Sequence, residues 1–186
     1  ADSQVIYHSN LDRFAFDETR YLNSFTDFEE WKEHRSFYIK SFVDPGNRLR
    51  FIESLNRGIL TIDEPRTYHL TYQLADAFGN TTQLSIQIEG KEQPIPEVDT
   101  ENTELFHWWS DNRFGAKGIR LTIPKGNLYD DLYFRYSVKE DSTALGATHI
   151  LHNKPVAFHK SAKLSLRLQT DTLENKQQYG IVRLQN

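Results

Sequence analysis

Apolar and polar residues alternate with a period of two over much of the chain. In 66–76, Tyr68, Leu70, Tyr72 and Leu74 share one face, and His69, Thr71 and Gln73 take the other. In 82–88, Leu84, Ile86 and Ile88 alternate with Gln83, Ser85 and Gln87. Side chains on an extended strand point to opposite faces in turn, so both runs predict half-buried strands. Asp76-Ala77-Phe78-Gly79-Asn80 lies between them, with Gly and Asn where a tight turn needs a left-handed backbone. The three segments together predict a β-hairpin.

Further along, Ile119, Leu121 and Ile123 alternate with Arg120 and Thr122, and Pro124-Lys125-Gly126-Asn127 supplies a turn. Leu132, Phe134, Tyr136 and Val138 line one face of the next strand. Leu164, Leu166 and Leu168 alternate with Ser165 and Arg167, and a last strand is expected over 179–184. One short helix is expected at 28–34. Asp27 caps it, Glu29 and Glu30 sit in its first turn, and Leu22, Phe25, Phe28 and Trp31 recur at three-residue spacing. Residues 90–102 carry two prolines and five charged residues without sustained alternation, the character of a linker. The expected fold class is therefore all-β: two immunoglobulin-like β-sandwich modules, 1–90 and 103–186, joined by a linker at 91–102, with one short helix in the first.

Composition narrows the function classes. Hydrophobic residues make up 38% and aromatics 13% of 186 residues, enough to fill a core. With 22 Lys+Arg against 26 Asp+Glu the net charge is -4, and no basic surface is available to release counterions from nucleic acid. Cysteine is absent, which excludes disulfides, a thiol nucleophile and thiolate metal ligands. No stretch approaches the roughly 18 apolar residues of a membrane-spanning helix. The first residues show no basic and apolar leader, and methionine is missing throughout, as in a mature product or an excised piece.

Candidate chemistry is sparse. His149, His152 and His159 are candidate zinc ligands, but Pro155 and the surrounding alternation favour strand or loop, where residues three apart diverge. His8 and Asp12 form an H-x-x-x-D spacing that two common residue types produce by chance. The adjacent carboxylates Asp17/Glu18, Asp63/Glu64 and Asp130/Asp131 sit beside expected turns and read as solvated turn residues or caps. Asp99 and Glu101 lack EF-hand spacing for calcium. No Walker A, G-x-G-x-x-G or G-x-S-x-G motif occurs. No catalytic, cofactor-binding or metal-binding residue is assigned. The surface candidates are Trp108 and Trp109, neighbours expected to face opposite sides of a strand. One would pack in a core or between modules, the other could stack on a sugar ring.

Several segments carry a resemblance. They are Leu11 to Phe25 (LDRFAFDETRYLNSF), Lys40 to Leu49 (KSFVDPGNRL), Asp63-Glu64 with Tyr68-His69-Leu70, and Phe78-Gly79-Asn80-Thr81-Thr82. In the second half they are Ile123 to Asp131 (IPKGNLYDD) and Leu164-Ser165-Leu166. The set resembles the accessory β-sandwich region downstream of the catalytic domain in lysostaphin-type zinc metallopeptidases of Gram-negative bacteria, which cut peptidoglycan cross-links. The resemblance implies a non-catalytic region that positions a peptidoglycan endopeptidase or binds cell wall or a partner protein. Its setting would be extracytoplasmic, in the periplasm or cell envelope, and zinc would belong to a catalytic domain absent from this chain. The family's H-x-H motif is missing, and His8-Ser9-Asn10-Leu11-Asp12 lacks the glycine usual in its first motif. The resemblance also implies that the chain begins inside the first module, leaving a sheet edge exposed. The rival readings are a free-standing extracytoplasmic adhesin-like or glycan-binding protein, and a zinc hydrolase built on His149, His152 or His159.

Overall fold

The structure is a computed structural model that describes residues 2, 4–13, 15–139, 147–168 and 180–181. It is all-β. Ten strands, β1 (Tyr7–Ser9), β2 (Ile52–Ser54), β3 (Thr67–Ala75), β4 (Thr81–Glu89), β5 (Thr103–Phe106), β6 (Asn112–Ala116), β7 (Ile119–Ile123), β8 (Leu132–Lys139), β9 (Thr148–Leu151) and β10 (Lys163–Leu166), form small antiparallel sheets. The strand expected over 179–184 lies outside the described residues except at 180–181.

The hairpin predicted from alternation is β3–β4, paired from Thr67↔Glu89 to Ala75↔Thr81. Asp76 closes its turn. Its carboxylate accepts from the backbone N–H groups of Phe78 and Asn80 and from the Asn80 side chain. Gly79 adopts a φ of 84°, which an L side chain rarely takes. Those bonds hold the Asp76 carboxyl below its usual range, the Asn80 side chain contributing most.

The expected helix is α2 (Phe28–His34), and the Asp27 side chain accepts from Glu30 N at 3.1 Å. The apolar residues upstream do not continue it. Leu22 and Phe25 belong to a separate single turn, α1 (Leu22–Phe25), which follows a 3-10 segment at Phe16–Tyr21. Thr26 turns extended after α1 and makes an isolated bridge to Ile39.

The second module is a sandwich of two three-stranded sheets, β10-β7-β6 and β5-β8-β9. Phe106, Leu121, Ile123, Leu128 and Phe134 meet between them as one buried cluster. Phe106 and Phe134 stack with ring centroids 4.7 Å apart. The alternation of β7 explains the arrangement, with Ile119, Leu121 and Ile123 buried while Arg120 is exposed.

Residues 15–50 do not stay within the first module's sheets. Tyr129 is buried, and its hydroxyl donates to the Arg20 carbonyl. Its own carbonyl accepts from Gly46 N at 2.7 Å. Asn23 and Arg20 donate to the carbonyls of Phe158 and His159, respectively. A second set of bonds keeps this stretch in shape. Ser24 donates to Asp44 at 2.5 Å, Lys40 pairs with Asp44 at 2.9 Å, and the nearly buried Glu18 accepts from the N–H groups of Ala15 and Arg50.

Candidate functional site around Trp109

The site grows from the connection between β5 and β6. Residues 107–110 form a turn closed by Ser110 N donating to the His107 carbonyl at 3.3 Å. Asn112, buried at the start of β6, braces that turn from inside. Its Oδ1 accepts from His107 N at 2.8 Å, and its Nδ2 donates to the carbonyls of His107 and Ser110. One amide side chain thus does the hydrogen bonding that a strand would otherwise do.

Trp108 and Trp109 therefore sit in a turn and not on a strand. Trp108 packs against the buried cluster of the second module, and its carbonyl accepts from Gly126 N. Trp109 points outward, 54% exposed, with its ring stacked on His107 at a centroid distance of 4.9 Å.

Asp131 anchors the other side. Its Oδ2 lies 3.0 Å from His107 Nδ1, and its Oδ1 accepts from Trp108 N at 3.2 Å. The register of β5 on β8 pairs Leu105 with Tyr133 and Phe106 with Leu132, which brings His107 opposite Asp131 one step further. Leu105 and Tyr133 are both exposed, at the sheet surface that continues from His107. An indole face, an imidazole, a phenol and a carboxylate thus border one surface. Asp130 accepts from Asp131 N at 2.8 Å, and partial burial raises its own carboxyl above the usual range.

Such a surface suits stacking and hydrogen bonding. Aromatic faces pair with the apolar face of a sugar or another ring, while the carboxylate and imidazole take hydroxyl or amide partners.

The other candidates are placed apart. His149 lies on β9 with Nδ1 2.8 Å from the Tyr136 hydroxyl. His152 follows β9 with a φ of 62°, and its Nδ1 accepts from Arg135 N at 3.3 Å. His159 stacks on Tyr21 at 4.3 Å and sits beside the Tyr129 hydroxyl. Burial lowers the pKa of both His152 and His159. Among the described residues no three metal-ligating side chains gather. His8 is on β1 opposite Glu53, while Asp12 lies in the exposed turn that follows.

The acidic pairs also have separate neighbours. Asp63 and Glu64 donate their N–H groups to the Tyr68 hydroxyl. Glu18 takes the cap alternative and not the solvated one: it is 5% exposed, its carboxylate accepts from Ala15 N at the start of the 3-10 segment, and the bonds from Arg50 and Ala15 hold its carboxyl at about 2. In the linker, Asp99 pairs with Arg135 at 2.6 Å and accepts from Glu101 N. The sequence pattern did not show that His107 stacks on Trp109 or that Asn112 and Asp131 pin the turn carrying it. The signal was present only in the register, which local alternation does not specify.

Residues 103–186, from β5 onward, match a known protein family, the Zu5-like domain. No curated protein and no solved structure matches the chain.

Proposed function

We propose that this chain is a non-catalytic binding and positioning region, of the kind that accompanies a peptidoglycan-cleaving zinc metallopeptidase. On this reading the Trp109 surface is its contact with cell-wall glycan. One observation carries the proposal: a Trp that is 54% exposed is held on a turn pinned by Asn112 and Asp131. A large exposed ring with its backbone already ordered loses little conformational entropy when a ligand stacks on it.

The resemblance of the chain to accessory regions of such enzymes supplies the substrate class, and the family match of the second module supplies no contrary assignment. In the same setting the protein works in the periplasm or cell envelope, with the endopeptidase as its covalent neighbour.

Retention on purified, insoluble peptidoglycan tests the reading. The wild-type protein is expected in the pellet, and Trp109→Ala is expected to bind about tenfold more weakly. That loss is the size of one aromatic contact together with its buried area. Trp109→Phe should recover part of the binding. No retention of the wild type, or equal retention of Trp109→Ala, overturns the proposal.

A further inference from the structure

The β3–β4 hairpin is open to solvent along most of its length. It is nine residues long on each side, yet among the described residues it forms a sheet of two strands. Two-stranded hairpins are marginal in water without a third strand or a packed face. The outer half of its apolar face is uncovered, with Tyr72, Leu74, Leu84 and Ile86 all exposed. Near its base, Ser41 reaches the Tyr72 hydroxyl at 3.0 Å.

The outer edge of β3 is already used at one position. Asp2 N donates to the His69 carbonyl at 2.9 Å, and the Asp2 carboxylate accepts from His69 N at 2.9 Å. Both backbone groups of His69 therefore point away from β4. In an antiparallel ladder this orientation recurs every second residue, so the N–H and C=O of Thr71 and Gln73 point outward too. Both residues are exposed and neutral, and β3 itself carries no Lys, Glu or Pro. Folds that keep such edges unpaired place charges or prolines there.

We infer that the outer edge of β3 accepts an extended polypeptide segment of alternating apolar and polar residues, supplied by a partner protein, as a third strand. The segment continues along the edge from the slot that Asp2 fills. Its main chain pairs with Thr71 and Gln73, and its apolar residues lie beside Leu70, Tyr72 and Leu74 on the shared face. The contact made by Asp2 comes from a separate stretch of chain and needs no symmetry, which favours a single strand over a second copy of the hairpin.

The test uses the whole chain and a labelled peptide with the sequence of β4, TTQLSIQIE, whose alternation fits this face. Fluorescence anisotropy should show saturable binding, weakened at least tenfold by Thr71→Pro or Gln73→Pro. Proline there removes an outward N–H and leaves the β4 ladder bonds in place. Amide exchange on the wild-type protein gives an arm free of substitution. The Thr71 and Gln73 amides should exchange fast alone and become protected with the peptide, while those of Leu70 and Tyr72 are protected in both states. Absent binding, binding indifferent to both prolines, or no new protection at Thr71 and Gln73 would overturn the inference. So would sedimentation showing dimers that Thr71→Pro dissolves and the peptide cannot disrupt, because the occupant would then be a second copy.

Discussion

Tyr129 joins the stretch 15–50 to the second module, and its removal should uncouple the two. The side chain is 4% exposed. Its ring meets Tyr21 edge-on at 6.1 Å and His159 at 6.0 Å, and its hydroxyl donates to the Arg20 carbonyl. Tyr129→Phe keeps the ring and deletes one hydrogen bond, so about 1 kcal/mol should be lost. Tyr129→Ala also empties a buried aromatic site, for which about 3–5 kcal/mol is typical. Gly46→Ala attacks the same junction from the opposite side. A Cβ on Gly46 would lie 2.8 Å from the Leu128 carbonyl oxygen and 2.9 Å from Tyr129 Cα, both backbone atoms that cannot rotate away. Relieving that overlap breaks the Gly46–Tyr129 bond and costs about 1–3 kcal/mol in addition.

Urea unfolding followed by segment-resolved hydrogen exchange is the assay. In the wild type, the bonds of 15–50 to Tyr129, Phe158 and His159 should make peptides from that stretch and from β7 lose protection in one transition. In Tyr129→Ala and Gly46→Ala, the stretch 15–50 should open at lower urea while β7 keeps its midpoint within about 0.5 kcal/mol. Tyr129→Phe should shift the junction only slightly and preserve a single transition. The reasoning fails if the wild type already unfolds in two well-separated steps. It fails equally if Gly46→Ala matches the wild type, since the overlap with backbone atoms would then carry no cost.

Two further outcomes follow from the core and from Glu18. Phe106→Ala removes half of a stacked pair from the centre of the second module and should cost about 3–5 kcal/mol, whereas Leu105→Ala, on the exposed face of the same strand, should stay within about 0.5 kcal/mol by urea denaturation. The Glu18 carboxyl is depressed to about 2 from its usual 4.5, mainly by the bond from Arg50 and then by those from backbone N–H groups. A depressed carboxylate stabilises the fold fully above pH 4.5, and that contribution disappears as pH falls toward 2. Melting temperatures between pH 5 and pH 2 should therefore fall more steeply for the wild type than for Glu18→Gln, and equal slopes would refute the assignment.

Much of the strand content was legible because period two is a local property. The hairpin 66–88, the strands around Ile119–Ile123 and Leu132–Val138, and the Asp27 cap are all written within a few residues of themselves. The pairing of β7 with β10 was not, because it joins segments over 40 residues apart and depends on which faces meet. Residues 15–50 were the least legible. Their order comes from a 3-10 segment, a single helical turn and side chains such as Glu18, Asp44 and Asn47 bonded to distant backbone or polar groups. None of those contacts has a period to read. The same cause explains Trp108 and Trp109. Alternation placed them on a strand, but Asn112 captures the backbone of residues 107–110 and ends β5 at Phe106.

The two halves of the chain bury their apolar residues differently, and that difference links the fold to the proposed binding roles. The second closes on itself: two three-stranded sheets enclose Phe106, Ile123 and Phe134, and the stiff frame can hold Trp109 outward without collapsing around it. Among the described residues nothing encloses the hairpin of the first, where Leu74 and Leu84 remain 65% and 57% exposed. Apolar area left in water at about 25 cal/mol per Å² is a standing driving force for association. It acts here on a strand whose backbone groups at Thr71 and Gln73 face away from the hairpin's own ladder. On the proposed readings, the ring displayed by the second meets a glycan surface, whereas the open edge of the first takes up a strand. The chain carries both, on opposite sides of the exposed linker at 91–102.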